Sequence, residues 1–394
     1  MNAIPPSVAS YPLPATVASL GMIHTVLTVL LTVAGSLAVS WPVMTLAAEM
    51  IGDMGARTSL RRLAVFLARR TPGVAVFSIA LGIPAYFTLF VMHGDAMFPA
   101  VLRMGWIWLA GIFLLFAGVG SSFWVSLRRR GSEPSTLRPF LPDIVESYLL
   151  AFRRRGLERP GLWFTLIAAA SFLLFGFIMI SFGVLVERPD LWGPGAPVPD
   201  GFFLPLADPK LVRRMVHFIL WSFAIGGFAV AWHGADRLAD GEVSYGRSTI
   251  KFGAVFFAVP VALEAVAGPW LLMSEPAGLL VRTPLAGGGL FLWTGAGAAL
   301  LAAVLVSFSP VIRRPRPVFW ASSVLLLYSI SVMVLVRQQA RELCLSDAGR
   351  AIPFTVHFHE AAGLVAASVA VAALVALGWM LAATTASSGQ SEGG

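Results

Sequence analysis

One cysteine, Cys344, in 394 residues excludes an intramolecular disulfide, a cysteine-held iron–sulfur cluster and a CxxCH attachment site for covalent haem. Charge is also scarce. Asp, Glu, Lys and Arg make up 12% of the chain against 57% hydrophobic residues, and the mean hydropathy is +0.81. So few charges, interrupted by repeated apolar runs of about 20 residues, exclude a soluble globular domain and predict a polytopic membrane protein. HExxH, GxSxG, a Walker loop and a paired-carboxylate motif are missing, and with them the chemistries those motifs carry. The first 20 residues hold no Lys or Arg. They lack the charged n-region of a cleaved signal, so the first apolar span is expected to stay as a helix.

The sequence predicts an all-α, polytopic transmembrane helix bundle of about nine spans, at 18–46, 73–92, 104–127, 161–186, 212–234, 250–273, 289–309, 318–337 and 355–383. Residues 1–383 form a single transmembrane domain in this reading, and 384–394 form a disordered tail. The loops after spans 1, 3, 5 and 7 carry 19 of the 28 Lys and Arg residues. Basic residues stay on the cytoplasmic side during insertion, so the N-terminus is expected outside and the C-terminus inside. The net charge of +8 then reflects topology. It gives no reason to expect nucleic acid, although the basic loops would favour anionic lipid. The inner connection 128–160 has an amphipathic core that fits either a helix on the membrane surface or a short helix in a basic loop. In the outer loop 187–211, Trp192, Phe202 and Phe203 are expected to order a cap.

Five of the six histidines, His24, His93, His217, His357 and His359, fall at or near one end of these spans. An imidazole is costly in hydrocarbon unless it binds something, and helix-borne histidines in a bilayer commonly hold haem iron. His24 has no acidic or amide neighbour in sequence, so a cofactor or a distant helix must satisfy it. His217 follows Arg213 and Arg214 by four and three residues, which puts at least one guanidinium on its face. That combination suits a haem whose propionates pair with arginine while histidine holds iron; the alternative is a pair of arginines that anchor the helix. Gly226 and Gly227 would permit close approach of another helix or of a macrocycle face. His357 and His359 point about 200° apart on a helix, so they cannot both bind one iron. Glu360 beside them can orient an imidazole or carry protons. His93, next to Asp95, is either a ligand or solvated. His233 lies roughly 24 Å along the helix from His217, too far to share its haem.

Several segments resemble subunit I of cytochrome bd-type quinol oxidases. KLVRRMVHFILWSFAIGGFAVAW is similar to the fifth helix of that family, and His217 matches its haem b histidine. MIHTVLTVL resembles the first helix, and His24 matches the histidine that serves the oxygen-site haem. YGRSTIKFGAVFFAV is similar to the start of the sixth helix, and VLVRQQ at 334–339 to the end of the eighth, with its Arg-Gln pair. The resemblance implies nine spans, an outer haem layer and a bacterial cytoplasmic (inner) membrane. It also has gaps. The glutamate tied to the high-spin haem is replaced by Val334, the third span has no acidic residue, the helix 7 methionine ligand has no counterpart, and the quinol loop between helices 6 and 7 is short.

Taken together, these features predict a subunit with two or three b-type haems that passes electrons between the quinone pool and an outer-side partner, a cytochrome c or a periplasmic oxidoreductase, within a respiratory complex in the lipid bilayer. Axial ligands are expected from His24, His217, His357 or His359, then His93, and propionate contacts from Arg213, Arg214 and Arg337. Glu275, Arg282 and Glu360 are the polar candidates for a quinone site. A divergent quinol oxidase with a high-spin haem on His24 is the alternative, with Glu264 as a substitute in proton delivery. A cofactor-free anchor or transporter is a third reading, and it leaves the histidine layer unexplained.

Overall fold

In bilayer hydrocarbon every backbone N–H and C=O must be satisfied within its own segment, so long apolar runs become helices. The computed structural model describes residues 14–55, 57–130, 160–192, 201–275 and 288–347, and their regular structure is helical throughout. The helices are α1 (Pro14–Met54), α2 (Thr58–Met104), α3 (Ile107–Arg130), α4 (Pro160–Val186), α5 (Pro209–Ala239), α6 (Val243–Leu272), α7 (Gly288–Phe308) and α8 (Arg316–Asp347). All eight are long and apolar enough to cross a membrane, which makes this a multi-pass membrane protein. They cover the first eight expected spans. The ninth span, the tail, the amphipathic part of the connection before α4, and His357, His359, Glu360 and Arg282 lie outside the described residues.

Successive helices run up and down. His24, early in α1, meets Ala85 and Thr88 late in α2, while Gly52 at the far end of α1 meets Arg61. Gly118 and Gly111 of α3 pack on Phe172 and Ile178 of α4, and Gly295 of α7 packs on Val332 of α8. One end of the bundle therefore collects the starts of α1, α3, α5 and α7 with the ends of α2, α4, α6 and α8. We call it the histidine end. The opposite, basic end carries Arg57 to Arg70, Arg129, Arg237 and Arg316. The main apolar core joins α5, α6, α7 and α8 around Phe228, Phe257 and Phe319; Val334 is buried in it.

Two local features position the site. At 1.5 Å per residue, α2 as a straight rod would be roughly 70 Å long, more than twice the thickness of bilayer hydrocarbon. It is not straight: His93 leaves helical geometry (φ −132°, ψ 33°), so residues 94–104 form a second, redirected piece. That piece ends at Gly105, whose φ of +41° reverses the chain against Gly201. A Cβ at Gly105 would come within 2.6 Å of the Gly201 Cα, so only glycine fits. Trp106 N–H donates to the Gly201 carbonyl at 2.8 Å, and Arg103 Nε to the Leu191 carbonyl at 2.8 Å. Trp192 and Phe203 turn inward against this turn, whereas Phe202 stays exposed.

The second feature is the α5–α6 seam. Gly227 lies against Gly253, and Gly234 against Gly246, seven residues apart on each helix, with backbones close enough that any Cβ would overlap the neighbour. Small residues at such spacing let two membrane helices touch along their length. Gly226 serves a different contact, the hydroxymethyl of Ser40 on α1. Both glycines thus accommodate helices.

Candidate functional site

The α5–α6 register fixes the central pair of the site. Ten residues back from Gly227 on α5 and eleven on from Gly253 on α6 stand His217 and Glu264. Their side chains meet, with His217 Nδ1 2.7 Å from Glu264 Oε2. A carboxylate only accepts, so Nδ1 donates to it. Trp221 packs edge-on to the imidazole at 6.2 Å. Glu264 Oε1 is buried without a hydrogen-bond partner.

His24 is held the same way by different groups. Its Nδ1 lies 3.0 Å from the Ala85 carbonyl and 3.0 Å from the Thr88 hydroxyl, which itself donates to Ala85. The carbonyl again demands N–H at Nδ1. His24 Nε2 keeps its lone pair and faces the Thr28 hydroxyl at 3.4 Å, a long contact. Both imidazoles are therefore anchored through Nδ1. His93 is buried at the α2 kink, and Arg341 of α8 is near enough to act electrostatically on both it and His24. Next in sequence to His24, Thr25 donates to Gln338 at 3.2 Å, which joins α1 to the Arg337-Gln338 pair.

The arginines have separate surroundings. Arg214 is buried and donates both Nη atoms to Glu187, at 2.9 and 2.7 Å, and Nη2 also to Glu275 at 2.8 Å. Lys210 completes this cluster, 2.6 Å from Glu187 and 3.0 Å from Glu275. Sequence reading missed Glu187 and Lys210, although an acidic residue directly after the apolar run of α4 was a visible signal. Burial alone would raise the carboxyl of Glu187, just beyond the α4 span; Arg214 and Lys210 outweigh that and hold it at about 2. Arg213 lies over the Trp270 ring at 5.6 Å with its Nε unpartnered. Arg337 contacts Gly183 of α4, and its side chain is accessible although Glu187, Arg214, Arg341 and Tyr86 surround it.

Several buried charged and amide atoms here lack hydrogen-bond partners: Nε of Arg213 and Arg341, Nε2 of Gln338, and oxygens of Glu264 and Gln339. Three of them are donors, close in sequence or space to the two imidazoles. Among the described residues, no group of three or more His, Cys, Asp and Glu side chains is placed to hold a bare metal ion.

No protein-family model and no curated protein sequence matches the chain. A solved structure does: the bd oxidase from Geobacillus thermodenitrificans, with a TM-score of 0.57 and 12% identity over 93% of this chain and 97% of the matched one. At that identity the likeness is one of fold, and this chain is a membrane helix bundle built like a bd oxidase.

Proposed function

We propose that this chain is a haem b subunit of a respiratory complex, passing electrons between membrane quinone and an outer-side partner such as a cytochrome c or a periplasmic oxidoreductase. The observation that carries this reading is that His24 and His217, two imidazoles at one end of a bd-oxidase-like fold, are both anchored through Nδ1 to an oxygen acceptor. Metal-ligating histidines usually donate their other ring N–H to a carboxylate or a carbonyl. Here Glu264 and Ala85 accept those bonds. The donor atoms of Arg213, Arg341 and Gln338 suit the acceptor-only propionates of a haem, so the residues present fit the group.

Bound haem would supply a one-electron couple, and the chain's residues would do the rest. His217 and His24 would bind, Glu264 and Ala85 would fix ring orientation, and Arg213 and Arg337 would face propionates. Arg214 and Glu275 would act through the buried ion cluster. His357, His359 or His93 would supply opposing ligands, and Arg282, Glu275 and Glu360 a quinone site. The histidine end would face outward. Purified protein should show a Soret band and a pyridine haemochrome of b type, with two or three haems per chain; absence of any Soret band would overturn the reading.

The alternative, an oxygen-reducing quinol oxidase with an open iron on His24, draws on the likeness of fold. Against it stand Val334, which sits in apolar core where the family has a glutamate, and Glu264, whose carboxylate is engaged with His217. Carbon monoxide distinguishes the two, because it binds reduced haem only where a coordination position is open.

A further inference from the structure

At the basic end, α2, α5 and α6 enclose a cleft of about 220 Å³ lined by four arginines, Arg62, Arg69, Arg70 and Arg237. Its wall is aromatic. The rings of Phe66 and His233 stack at 3.8 Å and 6°, His233 Nε2 lies 3.3 Å from the Tyr245 hydroxyl, and the Arg62 guanidinium sits 4.4 Å over the Tyr245 ring. Among the described residues, acidic side chains meet two of these arginines, Arg62 and Arg237. Glu242 binds Arg62 and lies 3.6 Å from Arg237, and Asp240 is 3.8 Å from Arg237. Arg69 donates to the Arg129 carbonyl at 2.9 Å. Arg70 makes no ion pair among the described residues, and its one contact of this kind is with the Phe66 ring at 5.9 Å.

Arginine forks bind phosphate oxygens bidentately, and phosphate is the anion common to phospholipid headgroups. The cleft lies where α2 and α5 leave their apolar runs, the level of lipid headgroups, and basic pockets between transmembrane helices take such headgroups. One wall is Val65 and Phe66, and just beyond Arg70 on α2, Val76 and Phe77 expose apolar surface along which acyl chains can lie. A free phosphate would use the guanidiniums and leave that surface idle. We propose that this cleft binds the phosphate headgroup of an anionic phospholipid. The site is at the opposite end of the bundle from His24 and His217 and does not depend on the haem reading.

The test uses the whole chain in detergent micelles, with native mass spectrometry of retained phosphatidylglycerol against phosphatidylcholine. The wild type is expected to retain phosphatidylglycerol preferentially, with millimolar inorganic phosphate unable to displace it. Arg70 is exposed, so Arg70→Gln should leave thermal unfolding unchanged while weakening the preference about fivefold, the effect of one basic residue near a surface. Arg70→Lys should fall between. Arg313→Gln, exposed at the same end outside the cleft, should change nothing. Equal loss with Arg313→Gln, no preference in the wild type, or displacement by inorganic phosphate would each overturn the proposal, the last by assigning the cleft to free phosphate. Should Arg70→Gln alter unfolding, the Arg70→Lys comparison decides: retention equal to wild type counts against the fork.

Discussion

At the histidine end, Glu187 has no accessible side-chain surface and is shared by Arg214 and Lys210, themselves 6% and 8% accessible. At the basic end, Asp236 and Asp240 meet Arg316 with 39–51% of each side chain in solvent. Both clusters tie together helices distant in sequence, yet the physics differs. Removing one partner from a buried cluster strands the others in low dielectric, whereas an exposed pair exchanges its partner for water at little cost. Near His24 and His217, the Nε atoms of Arg213 and Arg341 and the Nε2 of Gln338 are buried without a hydrogen-bond partner. Acceptor groups such as the propionates of the proposed haem would satisfy those three donors.

The most severe way to break this contrast is to remove a proposed haem ligand. His217→Ala should lower the haem content by one equivalent per chain in a pyridine haemochrome assay while the protein still inserts. A mutant with unchanged haem per protein would falsify the assignment of His217.

Next comes the ion cluster. Glu187→Gln should destabilise the detergent-solubilised protein by about 3 kcal/mol, read as a lowered midpoint of thermal unfolding. Its pH dependence has a definite sign. The carboxyl is depressed from 4.5 to about 2, so its contribution is complete above pH 4.5 and is lost as pH falls from there toward 2. A mutant as stable as wild type at pH 7, or a wild type indifferent to that acid window, would remove the contrast between the two ends.

Gly227→Leu tests how the seam builds the site. A side chain there must displace the α6 backbone around Phe256 and Phe257, at a cost of about 1–3 kcal/mol, and should separate His217 from Glu264. Haem content should fall although no ligand is altered. This seam also explains what sequence could and could not reveal. Eight spans and their alternation follow from apolar length alone, which the bilayer dictates. His217 and His24 stand out because imidazole is rare in hydrocarbon. Glu264 was visible as a membrane carboxylate, but its pairing with a histidine 47 residues away depends on which glycine faces which. The spacing of Arg214 from His217 likewise predicts a shared helix face. It cannot predict that Glu187, at the end of another helix, captures the guanidinium first. The break at His93 was legible, since span 2 is expected to end at residue 92, Gly94 follows directly and Pro99 lies six residues on; the helical piece that continues to Met104 was not.

Glu264→Gln should have a smaller effect, because an amide can still accept from Nδ1. Haem would be retained. A carboxylate makes the imidazole more electron-rich and favours ferric iron, so the substitution should raise the midpoint potential of one haem by about 60 mV if that preference changes tenfold. A merely structural contact would move stability and leave the potential in place, which makes redox titration the discriminating measurement.

The smallest effect belongs to the basic end. Arg316→Gln removes contacts to Asp236 at 3.1 Å and Asp240 at 3.5 Å, with all three side chains well solvated. The charges exchange one another for water, salt screens what remains, and the loss should stay within about 1 kcal/mol in thermal unfolding. Haem content and potential should not change. If Arg316→Gln instead matched Glu187→Gln, the difference between the ends would not be one of burial.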